Sequence, residues 1–88
     1  MRKLIGKVTI DEKEEILSLF ERKNGLIELF KLVEPNSPLY EKIVVDMGTT
    51  STKSQQWWND MSIKYSWEGI PEGHWEIDFN TCDIYLVD

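Results

Sequence analysis

The spacing of apolar and polar positions changes twice along the chain, and each change marks an element. Leu4 to Val8 form a short apolar, β-branched run that reads as an edge strand or an extended lead-in to a helix. Thr9 followed three residues later by Glu12 makes a capping box, in which the hydroxyl and the carboxylate each satisfy an otherwise orphaned amide. Asp11, Glu12, Glu14 and Glu15 then meet the positive end of the helix dipole, and Arg22 and Lys23 sit near its negative end. Ile16, Leu17, Leu19 and Phe20 recur at helical spacing, and Asn24-Gly25 supplies a left-handed stop, so the pattern predicts a helix from about Ile10 to Lys23. A second helical piece, LIELFKLV, repeats the period with Leu26, Ile27, Leu29, Phe30 and Val33, and Pro35 closes it.

Ser37 and Pro38 form the next start signal, as cap and first helical residue. A stripe of Tyr40, Val44, Met47, Ser51, Ser54, Trp58, Met61 and Tyr65 steps onward by fours and threes, which predicts one long helix. GTTST, residues 48–52, is made of mediocre helix formers, and Thr52 with Gln55 makes a second capping box, so a kink or restart is allowed there. Small side chains at Ser51 and Ser54 would let another backbone approach that stripe.

Beyond a loop marked by Gly69, Pro71 and Gly73 the period becomes that of strands. WEIDF and CDIYLV, separated by Asn80-Thr81, read as a hairpin with Trp75, Ile77 and Phe79 on one face and Glu76 and Asp78 on the other. A hairpin alone is marginal in water, so it is expected to pack on the helices or to pair with the N-terminal run. The expected fold is α+β. Two to three N-terminal and central helices, one of them long, precede a C-terminal β-hairpin in a single domain spanning residues 1–88.

Composition narrows what such a domain can do. With 88 residues, folding hides only about 60% of the unfolded chain's surface, and four Trp, three Tyr and three Phe supply much of the burial available. The net charge is -6, and its placement is uneven: up to Lys64 ten basic residues balance ten acidic ones. The remaining acids, Glu68, Glu72, Glu76, Asp78, Asp83 and Asp88, have no Lys or Arg among them. This tail either attracts a basic peptide or protein surface or serves as a solvated acidic face, and it disfavours nucleic acid. One cysteine, Cys82, cannot form an internal disulfide, which fits a reducing compartment. No export signal is readable, and no apolar run approaches the roughly 20 residues of a membrane span, so a cytoplasmic protein is expected.

Few residues carry catalytic chemistry. His74 is the sole histidine and lacks the companions a zinc site needs; an enzyme would require it to converge with Glu72 or Glu76 in a pocket. Cys82, on an expected strand and among acids, reads as a packed thiol and not as a nucleophile. The acids of DEKEE are explained by helix electrostatics, and no cofactor motif is present. Trp57, Trp58, Trp67 and Trp75 stand out, clustered near the acidic tail. They either fill the core or, with Glu76 and Asp78, present an anchor for a peptide or protein partner. Adjacent tryptophans point about 100° apart on a helix, so a narrow stripe cannot hide both Trp57 and Trp58.

In the combination of GKVTIDEKEEILSLFERKNGLIELF, LYEKIVVDMGTTSTKSQQWWNDMSIKYSW and WEIDFNTCDIYLV, nearly the whole chain resembles the CXXX repeat peptide modification system proteins. In such bacterial gene neighbourhoods a precursor peptide with Cys-rich repeats is encoded beside a radical SAM maturase and a small accessory protein. The resemblance implies an accessory or recognition role in maturing a ribosomally synthesised, modified peptide, with the precursor peptide or the radical SAM maturase as partner. It carries over no functional residues. The alternative from another class is a structural homodimer or larger homo-oligomer in which the long helix pairs with its copy through the Tyr40 to Tyr65 stripe.

Overall fold

The computed structural model describes residues 2–88. Strand β1 (Arg2–Lys7) leads into helix α1 (Ile10–Leu32), and α2 (Pro38–Tyr65) is followed by β2 (His74–Asp78) and β3 (Asp83–Val87). The strands form one antiparallel sheet in the order β1-β3-β2, so β3 is central and β1 and β2 are its edges. The α+β architecture is the expected one, with the N-terminal run completing a three-stranded sheet.

Local signals explain both helix starts. At α1 the Glu12 amide donates to the Thr9 hydroxyl (3.1 Å) and the Thr9 amide to the Glu12 carboxylate (2.9 Å), a complete capping box. At α2 the Ser37 hydroxyl accepts from the Leu39 amide (3.2 Å), with Pro38 in the first turn. The far end of α2 closes on Ser66 in the left-handed region (φ 52°), where the Ser66 and Trp67 amides donate back to the Ile63 and Ser62 carbonyls.

Asn24-Gly25 does not stop α1, which runs without a break to Leu32, and no glycine takes a positive φ. The apolar line continues through the pair: Leu26 is buried, Ile27 is half-buried, and the Phe30 ring packs 5.1 Å from that of Tyr40. Packing on α2 therefore outweighs the penalty of about 1 kcal/mol for an interior glycine. The long helix is also unbroken through GTTST. There the Thr52 hydroxyl donates to the Gly48 carbonyl and the Ser54 hydroxyl to that of Thr50 (2.9 Å each), which satisfies them within the helix. Gln55 donates to Asn59 (3.2 Å) in place of a second capping box.

The stripe expected on α2 is rotated by about one residue. Ile43, Thr50 and Trp57, seven apart, are buried along the seam with α1, whereas Val44 and Ser51 are exposed. The cause is that α2 buries two flanks, one against α1 and one beneath the sheet, so no single stripe describes it. Thr50, and not Ser51, is the small residue at the helix contact, with 1% exposure.

Two cores result. Val8, Ile16, Trp57, Trp67, Cys82 and Ile84 are buried where the sheet covers the first turns of α1 and the last turns of α2. Farther out the helices cover only each other, around Leu26 and Ile43, and a two-pronged Arg22–Asp46 pair (3.0 and 2.5 Å) clasps them. This arm leaves Leu29, Leu32, Leu39, Val44 and Val45 exposed and stretches the molecule to 44 × 28 × 20 Å. Its radius of gyration is 15.3 Å, against about 12 Å for a compact chain of this length.

At the base, Glu12 joins the two helices. Its carboxylate accepts from Lys64 (2.5 Å), from the Tyr65 hydroxyl and from the Thr9 amide. Burial pushes its pKa up, but the hydrogen bonds from Lys64, Thr9 and Tyr65 together outweigh that and lower it from 4.5 to about 2. The same contacts push the Tyr65 hydroxyl and the Lys64 ammonium up, each chiefly through its bond to Glu12.

Candidate functional site: the tryptophan cluster and the β2 edge

The four tryptophans come together, but with different exposures. Trp57 is 3% exposed and its indole N–H donates to the Glu12 carbonyl (3.1 Å), which makes it part of the core. Trp67, 9% exposed, lies over Gly6, where a Cβ would come within 2.8 Å of its Nε1. That Nε1 is buried without a hydrogen-bond partner. Trp58 and Trp75 are half-buried. Their rings are nearly parallel (19°, centroids 6.5 Å apart), and Trp67 stands across both at 58° and 62°. Trp57 turns toward α1 and is buried, whereas Trp58 turns toward the sheet and stays half-buried, with their rings edge to face at 4.8 Å, so the two are not both hidden. The surface available to a partner is thus Trp58 and Trp75.

Trp75 is held by β2 and by a bond from its indole N–H to the Glu68 carbonyl (2.9 Å). It borders an indentation of about 230 Å³ between β2 and α2, lined by Gln55, Trp58, His74 and Trp75. On its other side is a cavity of about 410 Å³ formed with Ile70, Pro71 and Leu86. Sequence reasoning missed Gln55 and Ile70, since only the tertiary fold brings α2 and the loop beside the strand. A further groove between α1 and α2, about 400 Å³, carries both charge signs through Glu15, Lys53 and Asp60, and Trp57, itself 3% exposed, is the aromatic residue that lines it.

Register divides the acids from the aromatics. Trp75 pairs with Leu86 and Ile77 with Ile84, on the face toward the helices, whereas Glu76 pairs with Tyr85 and Asp78 with Asp83 on the outer face. Glu76 is exposed and meets His74 at 3.1 Å; Asp78 is half-buried, and its carboxylate accepts the Asn80 amide (2.8 Å) in the turn. His74 and Glu76 do converge, but among the described residues neither Glu72 nor any Ser, Thr, Cys or Lys side chain is hydrogen-bonded to the pair. Cys82 is not on the strand: it ends the turn in the left-handed region (φ 64°), buried, its amide donating to the Asp78 carbonyl (2.8 Å). Among the described residues no group of three or more His, Cys, Asp or Glu is placed to hold a metal ion. Also among them, no helix is long and apolar enough to cross a membrane.

The two sheet edges differ. β1 carries Arg2, Lys3 and Lys7 and a bulge between Leu4 and Gly6, features that discourage strand addition. β2, with the sequence HWEID, has no Lys, Pro or bulge and, among the described residues, pairs only with β3.

Comparison with protein-family models, with curated proteins and with solved structures finds no match to this chain.

Proposed function

We propose that this protein is an accessory binding module that receives an extended, basic peptide segment at the edge of β2, without chemistry or a cofactor of its own. One observation carries the reading: the unblunted edge is also the acidic one, and it runs beside the half-buried Trp58 and Trp75. Main-chain bonds to the edge would supply affinity, the indoles apolar contact, and the carboxylates long-range attraction. Combined with the resemblance to CXXX repeat peptide modification system proteins, the partner is the Cys-repeat precursor peptide or the radical SAM maturase that acts on it. Calorimetry and tryptophan fluorescence with the synthetic precursor leader test this. Saturable binding that weakens with salt is expected; absence of both heat and emission change, for leader and maturase alike, refutes it.

A second reading, a structural homo-oligomer, is supported by the exposed Leu29, Leu32, Leu39, Val44 and Val45 of the helical arm. The Tyr40 to Tyr65 stripe expected to serve it faces α1 and the sheet over most of its length, so the pairing surface would be the arm. A monomeric mass by light scattering across the micromolar range excludes this reading.

A further inference from the structure

Edge addition to β2 dictates the pattern of what is added, and the inference rests on that reading of the edge. A strand laid beside β2 alternates its side chains between the two faces of the sheet, as β2 does. On the outer face its neighbours are Glu76 and Asp78, while His74 at the start of the strand also borders the indentation beside Trp58. Among the described residues no Lys or Arg pairs with Glu76 or Asp78, whereas Asp83 on the same face meets Lys7 (3.7 Å) and Glu68 meets Lys3 (2.8 Å). The two carboxylates of β2 thus have no Lys or Arg partner among the described residues; Glu76 meets only His74 (3.1 Å) and Asp78 accepts the Asn80 amide (2.8 Å), which leaves each with further acceptor capacity for an incoming cation. On the other face the neighbours are Trp75 and Ile77, above the indentation floored by Gln55 and Trp58. A slip of one residue would put cations over the indoles and apolar groups beside the acids, so the pattern also sets the register.

We infer that the segment received by β2 is an extended strand of alternating character, with Lys or Arg where it faces Glu76 and Asp78 and apolar side chains where it faces Trp75 and Trp58. The probes are three capped synthetic peptides: one alternating Lys and Val, one of identical composition with its lysines in a block, and one alternating Glu and Val. Each is titrated into the full chain by calorimetry while the indole ¹H–¹⁵N resonances are followed. The alternating Lys peptide should bind about fivefold tighter than the blocked one. It should shift the Trp58 and Trp75 indole resonances while leaving Trp57, which is bonded to the Glu12 carbonyl, unmoved. Glu76→Lys, at an exposed position and checked for an unchanged circular dichroism spectrum, should weaken the Lys peptide about fivefold and strengthen the Glu peptide. Equal affinity for alternating and blocked peptides would overturn the pattern while leaving edge binding intact. No binding by any peptide overturns the pattern and the edge reading together.

Discussion

Replacing Glu12 by Gln removes one charge from the point where the two helices meet while keeping an oxygen that can accept the Thr9 and Tyr65 hydrogens. A carboxyl whose pKa falls from 4.5 to about 2 on folding corresponds to roughly 3 kcal/mol of stability at neutral pH. The Glu12 side chain is only 12% exposed, but its partner Lys64 is 55% exposed, and solvent screening on that side reduces the expected loss. We expect about 1–2 kcal/mol. The sign follows from the lowered folded-state pKa: the contribution is fully present above about pH 4.5 and is lost as pH falls toward 2. Urea unfolding of the parent and Glu12→Gln chains at pH 7, 5, 4, 3 and 2.5 should show a gap that is constant down to about pH 5 and then narrows. Comparing the two chains cancels Asp46 and other carboxyls whose pKa is also lowered. A gap that stays the same from pH 7 to 2.5, or a loss below about 0.3 kcal/mol at pH 7, would refute the assignment of Glu12 as a charged tie.

Three further substitutions probe the backbone. Gly25→Ala should stabilise the chain by about 0.5–1 kcal/mol in urea, because Gly25 is interior to α1 with open space around a Cβ; a left-handed stop would give destabilisation instead. Ser66→Gly should raise stability by about 0.5–1 kcal/mol by relieving the positive φ at the end of α2, and an unchanged or lower urea midpoint would contradict that cap. Gly6→Ala should cost about 1–3 kcal/mol and alter tryptophan emission, since its Cβ would meet the Trp67 indole at 2.8 Å; a neutral result would show that the indole yields easily.

Much of this molecule follows from local chemistry that can be read directly. Thr9–Glu12 and Ser37–Pro38 name their helix starts because caps act within three residues, and Trp75 and Ile77 name the face of their strand because its period is two, whereas Phe79, expected on that face, lies in the turn beyond the end of β2. The uneven charge is likewise a property of the sequence alone, with six acids and no Lys or Arg after Lys64. What tertiary structure decided were the contests between local preference and packing. Asn24-Gly25 reads as a stop, but burial of Leu26 and the contact between Phe30 and Tyr40 carry the helix through it. The α2 stripe could not be located from one period, because two different layers cover two flanks of that helix. The sorting of the tryptophans was beyond the sequence for the same reason: exposure depends on which element lies opposite, and only the fold sets Trp57 against α1 and Trp58 against Trp75. Which sheet edge is open was equally a tertiary matter, since it required β3 to insert between β1 and β2 and leave the acidic strand outermost.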